Sequence, residues 1–244
     1  MTELIIMSLI AGLSTSIGAI IVVTIGHISH LSEDIMFGFA AGTLIGIVTF
    51  GLIPESLTSG NFTIFLAGFL LGAVILTLVD SYIPKIRSNL GKTSNVFKSP
   101  LAILMLLLIT SNNIFEGIAV GSAFSAEKTG LGLLVILGII AHNIPEGLIL
   151  SLPLRDAGIS KFKNVLYTTL TGLMEPLFAI LTFTFLVFLA DLVPFVLAFA
   201  SGTIVYVSFK ELIPRAHAHC HPFFSSWGMI LGFITIILAE TILL

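Results

Sequence analysis

Two short stretches of the chain place a nitrogen- or oxygen-bearing side chain four residues ahead of a carboxylate. The first reads Asn112-Asn113-Ile114-Phe115-Glu116-Gly117, the second His142-Asn143-Ile144-Pro145-Glu146-Gly147. Side chains four apart stack on one face of a helix, so Asn112 stands over Glu116 and His142 over Glu146. Glu175 adds a third carboxylate, immediately before Pro176. Imidazole with carboxylates is a ligand set for a divalent transition metal. Imidazole binds as the neutral base, so protons compete with metal for such a site. The prolines fit the same chemistry: Pro145 cannot donate to the carbonyl of Ala141, nor Pro176 to that of Gly172, and each ring pushes its turn open. Freed carbonyls are further oxygen ligands where the backbone lines a cavity. Two other readings remain open. Glu and His can form a proton relay without metal, or act as structural glue between helices. Asn112, Asn113 and Asn143 alone are ordinary interhelical hydrogen-bonders. The combination of the two stretches with a third Glu favours metal.

A second cluster, His217, His219, Cys220 and His221, lies in RAHAHCHP, and His27 and His30 are expected on the same side of the protein. His-rich tracts bind metal, which makes His217, His219 and His221 a candidate exit station or sensor; a solvated loop is the plainer reading. Glu55 and Asn61 stand at the opposite mouth, where they would attract a cation or simply be solvated.

The elements that position these residues follow from composition. Of 244 residues, 57% are apolar and 9% charged, with mean hydropathy +1.15. Soluble domains carry about 25% charged residues, so lipid must be the solvent for much of this surface. A bilayer core of roughly 30 Å needs about 20 apolar helical residues. Segments 4–25, 34–53, 62–82, 100–124, 130–153, 163–190, 192–213 and 223–244 qualify. The expectation is an all-α membrane protein of eight transmembrane helices in a single domain, 1–244. Only 83–99 is long and polar enough for a flexible loop. Asn112, His142 and Glu175 each fall about twelve residues into a helix, roughly 18 Å from its start at 1.5 Å per residue. A carboxylate at that depth costs at least about 2.5 kcal/mol, which argues against an ornamental role.

Orientation follows from the basic residues. Lys85, Arg87, Lys92, Lys98, Arg155, Lys161, Lys163, Lys210 and Arg215 fall on one side and Lys128 on the other. The first side is therefore cytosolic, with both termini outside the cytoplasm. The chain also repeats itself at an offset of 160 residues: FAAGT at 39–43 with FASGT at 199–203, LIP at 52–54 with LIP at 212–214, Gly68, Leu71 and Gly72 with Gly228, Leu231 and Gly232, Gly12-Leu13 with Gly172-Leu173, and Asp80 with Glu240. Helices 1–3 and 6–8 would then run in opposite senses, an inverted repeat of the kind found in secondary transporters. Helices 4 and 5, which carry the two stretches, fall between the repeats. The bland alternative is that Gly and Ala recur in any membrane helix for close packing.

Several classes fall away. The single cysteine excludes an intrachain disulfide and a Cys-rich zinc site. A net charge of −3 with scattered basic residues gives nucleic-acid binding no support. The start, MTELIIMSLI, lacks the basic region of a signal peptide, so its apolar run is expected to be retained. The HExxH pattern of a metalloprotease is absent, and no enzyme is expected. A receptor or scaffold would leave the repeat unexplained. A proton- or cation-coupled carrier of another small substrate remains the alternative, although the mid-depth positions offer no Lys or Arg to hold an anion.

At these residues the chain resembles the ZIP (Zrt/Irt-like) family of metal transporters, nearest its prokaryotic zinc-uptake branch. HNIPEGL at 142–148 matches the family's fifth-helix signature almost letter for letter, and GLMEPL at 172–177 is similar to the sixth-helix motif. FAAG with LIPE at 39–55 and FASG with KELIP at 199–214 resemble the second and seventh helices. The likeness covers essentially the whole chain. It implies eight helices in a 3+2+3 arrangement and a two-metal transport site. The first metal would meet Asn112, Glu116, His142 and Glu146; the second Asn113, Asn143, Glu175 and the bridging Glu116 and Glu146. It further implies uptake of Zn2+, with Mn2+, Fe2+ and Cd2+ as possible substrates, into the cytosol across the cell (inner) membrane. The mechanism implied is alternating access in a homodimer, helices 1, 4, 5 and 6 moving against 2, 3, 7 and 8. Helix 4 departs from the pattern, with Asn112 for a His and Phe115 for a Pro, and Leu44 stands where several members have Met. A weaker, harder first site, more tolerant of manganese or ferrous iron, would follow.

Overall fold

Within lipid every backbone N–H and C=O must be satisfied inside its own segment, which leaves a chain this apolar the helix as its element. A computed structural model describes residues 1–26, 28–93 and 99–244, and the side chains of all of these except 86–93. Eight helices long and apolar enough to cross a membrane stand among the described residues. They are α1 (Thr2–Ile25), α2 (His30–Ser59), α3 (Phe62–Lys85), α4 (Pro100–Ser125), α5 (Leu131–Asp156), α6 (Lys161–Phe188), α7 (Ala190–Ala216) and α8 (Pro222–Leu243).

Their ends differ from the sequence expectation for identifiable reasons. α2 starts four residues before the expected position 34 because Ser29 caps it, its hydroxyl accepting from Ser32 N at 3.1 Å. It also runs past position 53 through a π-helical turn at Ile47–Leu52, and Pro54 falls harmlessly in the first turn beyond it. A matching π turn interrupts α7 at Ser208–Leu212. Helix continues from α3 through Pro84 to Thr93, so the flexible loop expected from 83 is helical over its first part; 94–98 lie outside the described residues. The two prolines of the site differ. α6 breaks at Leu173, between Lys161–Gly172 and Met174–Phe188, where Pro176 withholds a bond from Gly172. α5 instead stays helical through Pro145 and Pro153, so the opened turn expected at Pro145 is not seen.

α5 is the axis of the molecule. Its most apolar stretch is 72% buried, against 17% for α3 and α8. Leu66, Leu70, Val74 and Leu78 of α3 and Ile230, Leu231, Ile234 and Leu238 of α8 face outward, where hydrocarbon is their solvent. The most extensive helix pairs are α2 with α8, α1 with α5, α3 with α7 and α4 with α6. Glycine sets the closest of these. A Cβ on Gly12 would run into the carbonyl of Gly172, and a Cβ on Gly172 into the carbonyl of Gly12. Gly117 is pressed likewise against the carbonyl of Glu175, and Gly147 against that of Thr15. Asp80 of α3 and Lys210 of α7 form an ion pair across the α3–α7 seam.

Candidate metal site

The tight seat of Gly117 on the Glu175 backbone brings the break in α6 directly against the turn of α4 that carries Glu116. Gly147 does the same for the turn of α5 that carries Glu146, seating it against α1. Asn112, Asn113, Glu116, His142, Asn143, Glu146 and Glu175 are all buried.

One ligand atom each from Glu116, His142 and Glu146 lie within 4.8 Å of one another. Asn112 Nδ2 donates to Glu146 Oε1 at 3.3 Å, and Asn113 Nδ2 to Glu146 Oε2 at 3.2 Å and to the carbonyl of Ile109 at 2.8 Å. Asn143 Nδ2 donates to Glu175 Oε2 at 2.7 Å and to the carbonyl of Ala11 at 2.9 Å. His142 Nδ1 stands 3.4 Å from Glu116 Oε1, off the line a hydrogen bond requires. The expected set is thus brought together from three helices, in two connected groups: Asn112, Asn113, Glu116, His142 and Glu146 in one, Asn143 and Glu175 in the other.

Burial leaves lone pairs over. Glu116 Oε2, both ring nitrogens of His142, Asn113 Oδ1, Asn143 Oδ1 and Glu175 Oε1 have no hydrogen-bond partner among protein atoms. An unpartnered buried polar atom costs about 1–3 kcal/mol, and here several collect around three carboxylates. Among the described residues no Lys or Arg forms an ion pair with Glu116, Glu146 or Glu175. Acceptors without donors, and carboxylates without a fixed cation beside them, are donor types that a divalent metal ion takes.

Sequence reasoning missed Glu211. It sits in the π turn of α7, beside Asn112 and within electrostatic range of Glu146. The available signal was an acidic residue inside KELIP, which the sequence shows only as part of the 199–214 motif.

At the other cluster His217 stands apart, its Nδ1 3.0 Å from the carbonyl of Ile213. His219 and His221 instead meet Asp34. His27 lies outside the described residues. Leu44 is fully buried, Glu55 is buried and Asn61 exposed.

Comparison with known proteins follows the same residues. The family model described as ZIP Zinc transporter matches residues 86–240, a stretch holding all seven side chains of the site. Zinc transporter GufA of Myxococcus xanthus is 31% identical over 240 residues, covering 93% of each chain. Zinc transporter ZupT of Chlorobium limicola is 32% identical over 249 residues, covering 93% of this chain and 92% of its own. Human zinc transporter ZIP11 is 39% identical over 154 residues, 61% of this chain, and the match spans only 45% of that longer protein. Family match and near full-length relatives agree with the pattern of His, Asn and Glu across α4, α5 and α6: the chain belongs to the ZIP family.

Proposed function

We propose that this protein carries a divalent transition-metal ion, zinc foremost, across the membrane into the cytosol, using the α4–α5–α6 site as the point where the ion sheds water and is held. The convergence of Glu116, His142 and Glu146 within 4.8 Å, buried between membrane-length helices, carries the reading. Nitrogen and oxygen donors of this mix suit zinc, and suit manganese and ferrous iron in proportion as Asn112 replaces an imidazole. The orphaned oxygens of Asn143, Asn113 and Glu175 supply a second position beside the first. The names of the relatives, each a zinc transporter, point the same way.

Alternating access by an inverted repeat is the accompanying proposal. The pairs α2–α8 and α1–α5 become α7–α3 and α6–α4 when residues 160 apart are exchanged and α4 is exchanged with α5. Gly42 abuts the carbonyl of Met229 and Gly202 that of Phe69; Gly72 abuts Phe199 and Gly232 abuts Phe39. Each of these contacts is the 160-residue counterpart of the other. Helices α1, α4, α5 and α6 form the unit that holds metal, moving against α2, α3, α7 and α8. A homodimer in the cell (inner) membrane, both termini outside the cytoplasm, completes the proposal. The lack of a fixed cation at the site disfavours an organic anion as cargo.

The test is uptake into proteoliposomes with zinc, manganese, ferrous iron and cadmium in competition across a pH series. Saturable zinc uptake, suppressed by the other three and weakened by acid, is expected. Uptake indifferent to all four metals, with movement of an organic solute instead, would overturn the assignment.

A further inference from the structure

A second group of metal-ligating side chains gathers where α2 begins and the α7–α8 connection turns, on segments separate from α4, α5 and α6. Asp34 is its centre. The residue is fully buried, yet its Oδ1 lies 3.0 Å from Nδ1 of His219 and its Oδ2 lies 3.0 Å from Nδ1 of His221. An ionised carboxylate only accepts, so each imidazole donates its Nδ1–H, and Nε2 is the nitrogen left to meet a metal ion. Ligating histidines are held in this way, with the second nitrogen fixed on a carboxylate. Cys220, between the two, adopts φ 58, a left-handed conformation uncommon outside glycine. That turn lets neighbours two apart reach a single carboxylate.

Helix α2 contributes two more groups. Glu33 Oε2 is 3.6 Å from His30 Nδ1 and 4.0 Å from His219 Nδ1. The rings of His30 and His219 are stacked with centroids 4.0 Å apart. One ligand atom each from His30, Glu33 and His219 lie within 4.8 Å of one another. A bond between Asp34 and two histidines would by itself explain a tethered loop. It does not explain why a second carboxylate and a third imidazole converge on the same ring. His30 is open to water, with its side chain 63% exposed, so an ion reaches the group without crossing the protein.

We infer that His30, Glu33 and His219 form a second binding site for a divalent transition-metal ion at the membrane surface, with Asp34 the positioning residue that orients His219 and His221. His217 is outside it. Both α2 and the α7–α8 connection belong to the half of the molecule that the transport proposal holds still, so an ion bound here rests beside the route of transport and does not ride with the moving helices. The site stands whether or not that proposal does.

The test uses the full chain, purified in detergent with His142→Ala and Glu146→Ala together, and Co2+ as the probe. Absorption bands of coordinated cobalt should remain, with one equivalent bound per chain at micromolar concentration. Adding Glu33→Gln and His219→Ala should remove that equivalent. Asp34→Asn should weaken it by about 10–100-fold, and His217→Ala should leave it unchanged. The metal-free unfolding temperature of each variant reports whether it is folded; where Asp34→Asn fails to fold, His30→Ala takes its place and should weaken binding likewise. No cobalt bound in the His142→Ala, Glu146→Ala protein overturns the inference. So does binding that ignores Glu33→Gln and His219→Ala, which would mark an adventitious ion only. Retention of a single equivalent in the native chain, unchanged by His142→Ala and Glu146→Ala, would instead sink the transport site and leave this one standing.

Discussion

Glu146 receives amide donors from Asn112 on one oxygen and Asn113 on the other, both from a different helix. Its environment therefore changes most when position 112 changes. Replacing Asn112→His removes one donor and adds an imidazole nitrogen facing the same space. Zinc affinity should rise by about tenfold, about 1.4 kcal/mol, with a smaller gain for manganese, measurable by calorimetric titration of both ions. Unchanged affinity for both ions would mean that position 112 does not touch the ion. The sign of pH dependence is fixed by His142. Metal needs its bare nitrogen and ionised carboxylates around it, and protons occupy both. Zinc affinity should fall steadily as pH is lowered, a trend that equilibrium binding across pH checks directly. The residue types and the four-residue spacing were legible in the sequence because a helix turns stacking into arithmetic. Glu211 and Asp34 were not legible. Each looks like a solvated charge at a helix end, and each owes its importance to contacts more than 90 residues away, Asn112 for one and His219 and His221 for the other.

Helix packing decides whether those side chains meet. Gly147 lies against the carbonyl of Thr15, and any Cβ there meets backbone that has little freedom to move. Gly147→Val should cost about 1–3 kcal/mol through overpacking, lowering the unfolding temperature and zinc binding together. Thermal unfolding in detergent with and without zinc checks this, and a fully stable variant would show that α1 and α5 are less tightly joined than described. The helices themselves were legible from length and apolarity, because lipid permits little else. Their interruptions were less so. Pro176 breaks α6 while Pro145 leaves α5 helical, a difference set by packing. α5 is held on several sides by α1, α2, α4 and α6, whereas the break in α6 falls where Gly172 meets Gly12. The π turns at Ile47–Leu52 and Ser208–Leu212 left no local signal beyond the LIP repeat that follows them.

At the scale of the whole molecule, orientation decides the direction of transport. By the positive-inside rule, the nine basic residues that the sequence puts on one side would place the α7–α8 connection in the cytosol. The chain has one cysteine, Cys220, and it is exposed on that connection. A membrane-impermeant thiol reagent should label inside-out vesicles and spare right-side-out ones; the reverse would invert the protein in the membrane. Helix pairs and glycine contacts exchange with one another at the same 160-residue offset as the matched letters of the sequence.

In the proposed transport cycle Glu116, His142 and Glu146 hold the cargo. The most direct test of that role is zinc uptake by proteoliposomes containing the native chain, Glu146→Ala or His142→Ala in equal, folded amounts. The native chain should accumulate zinc and both variants should fall to the level of empty liposomes. Undiminished uptake by either variant would place the metal elsewhere and contradict the account.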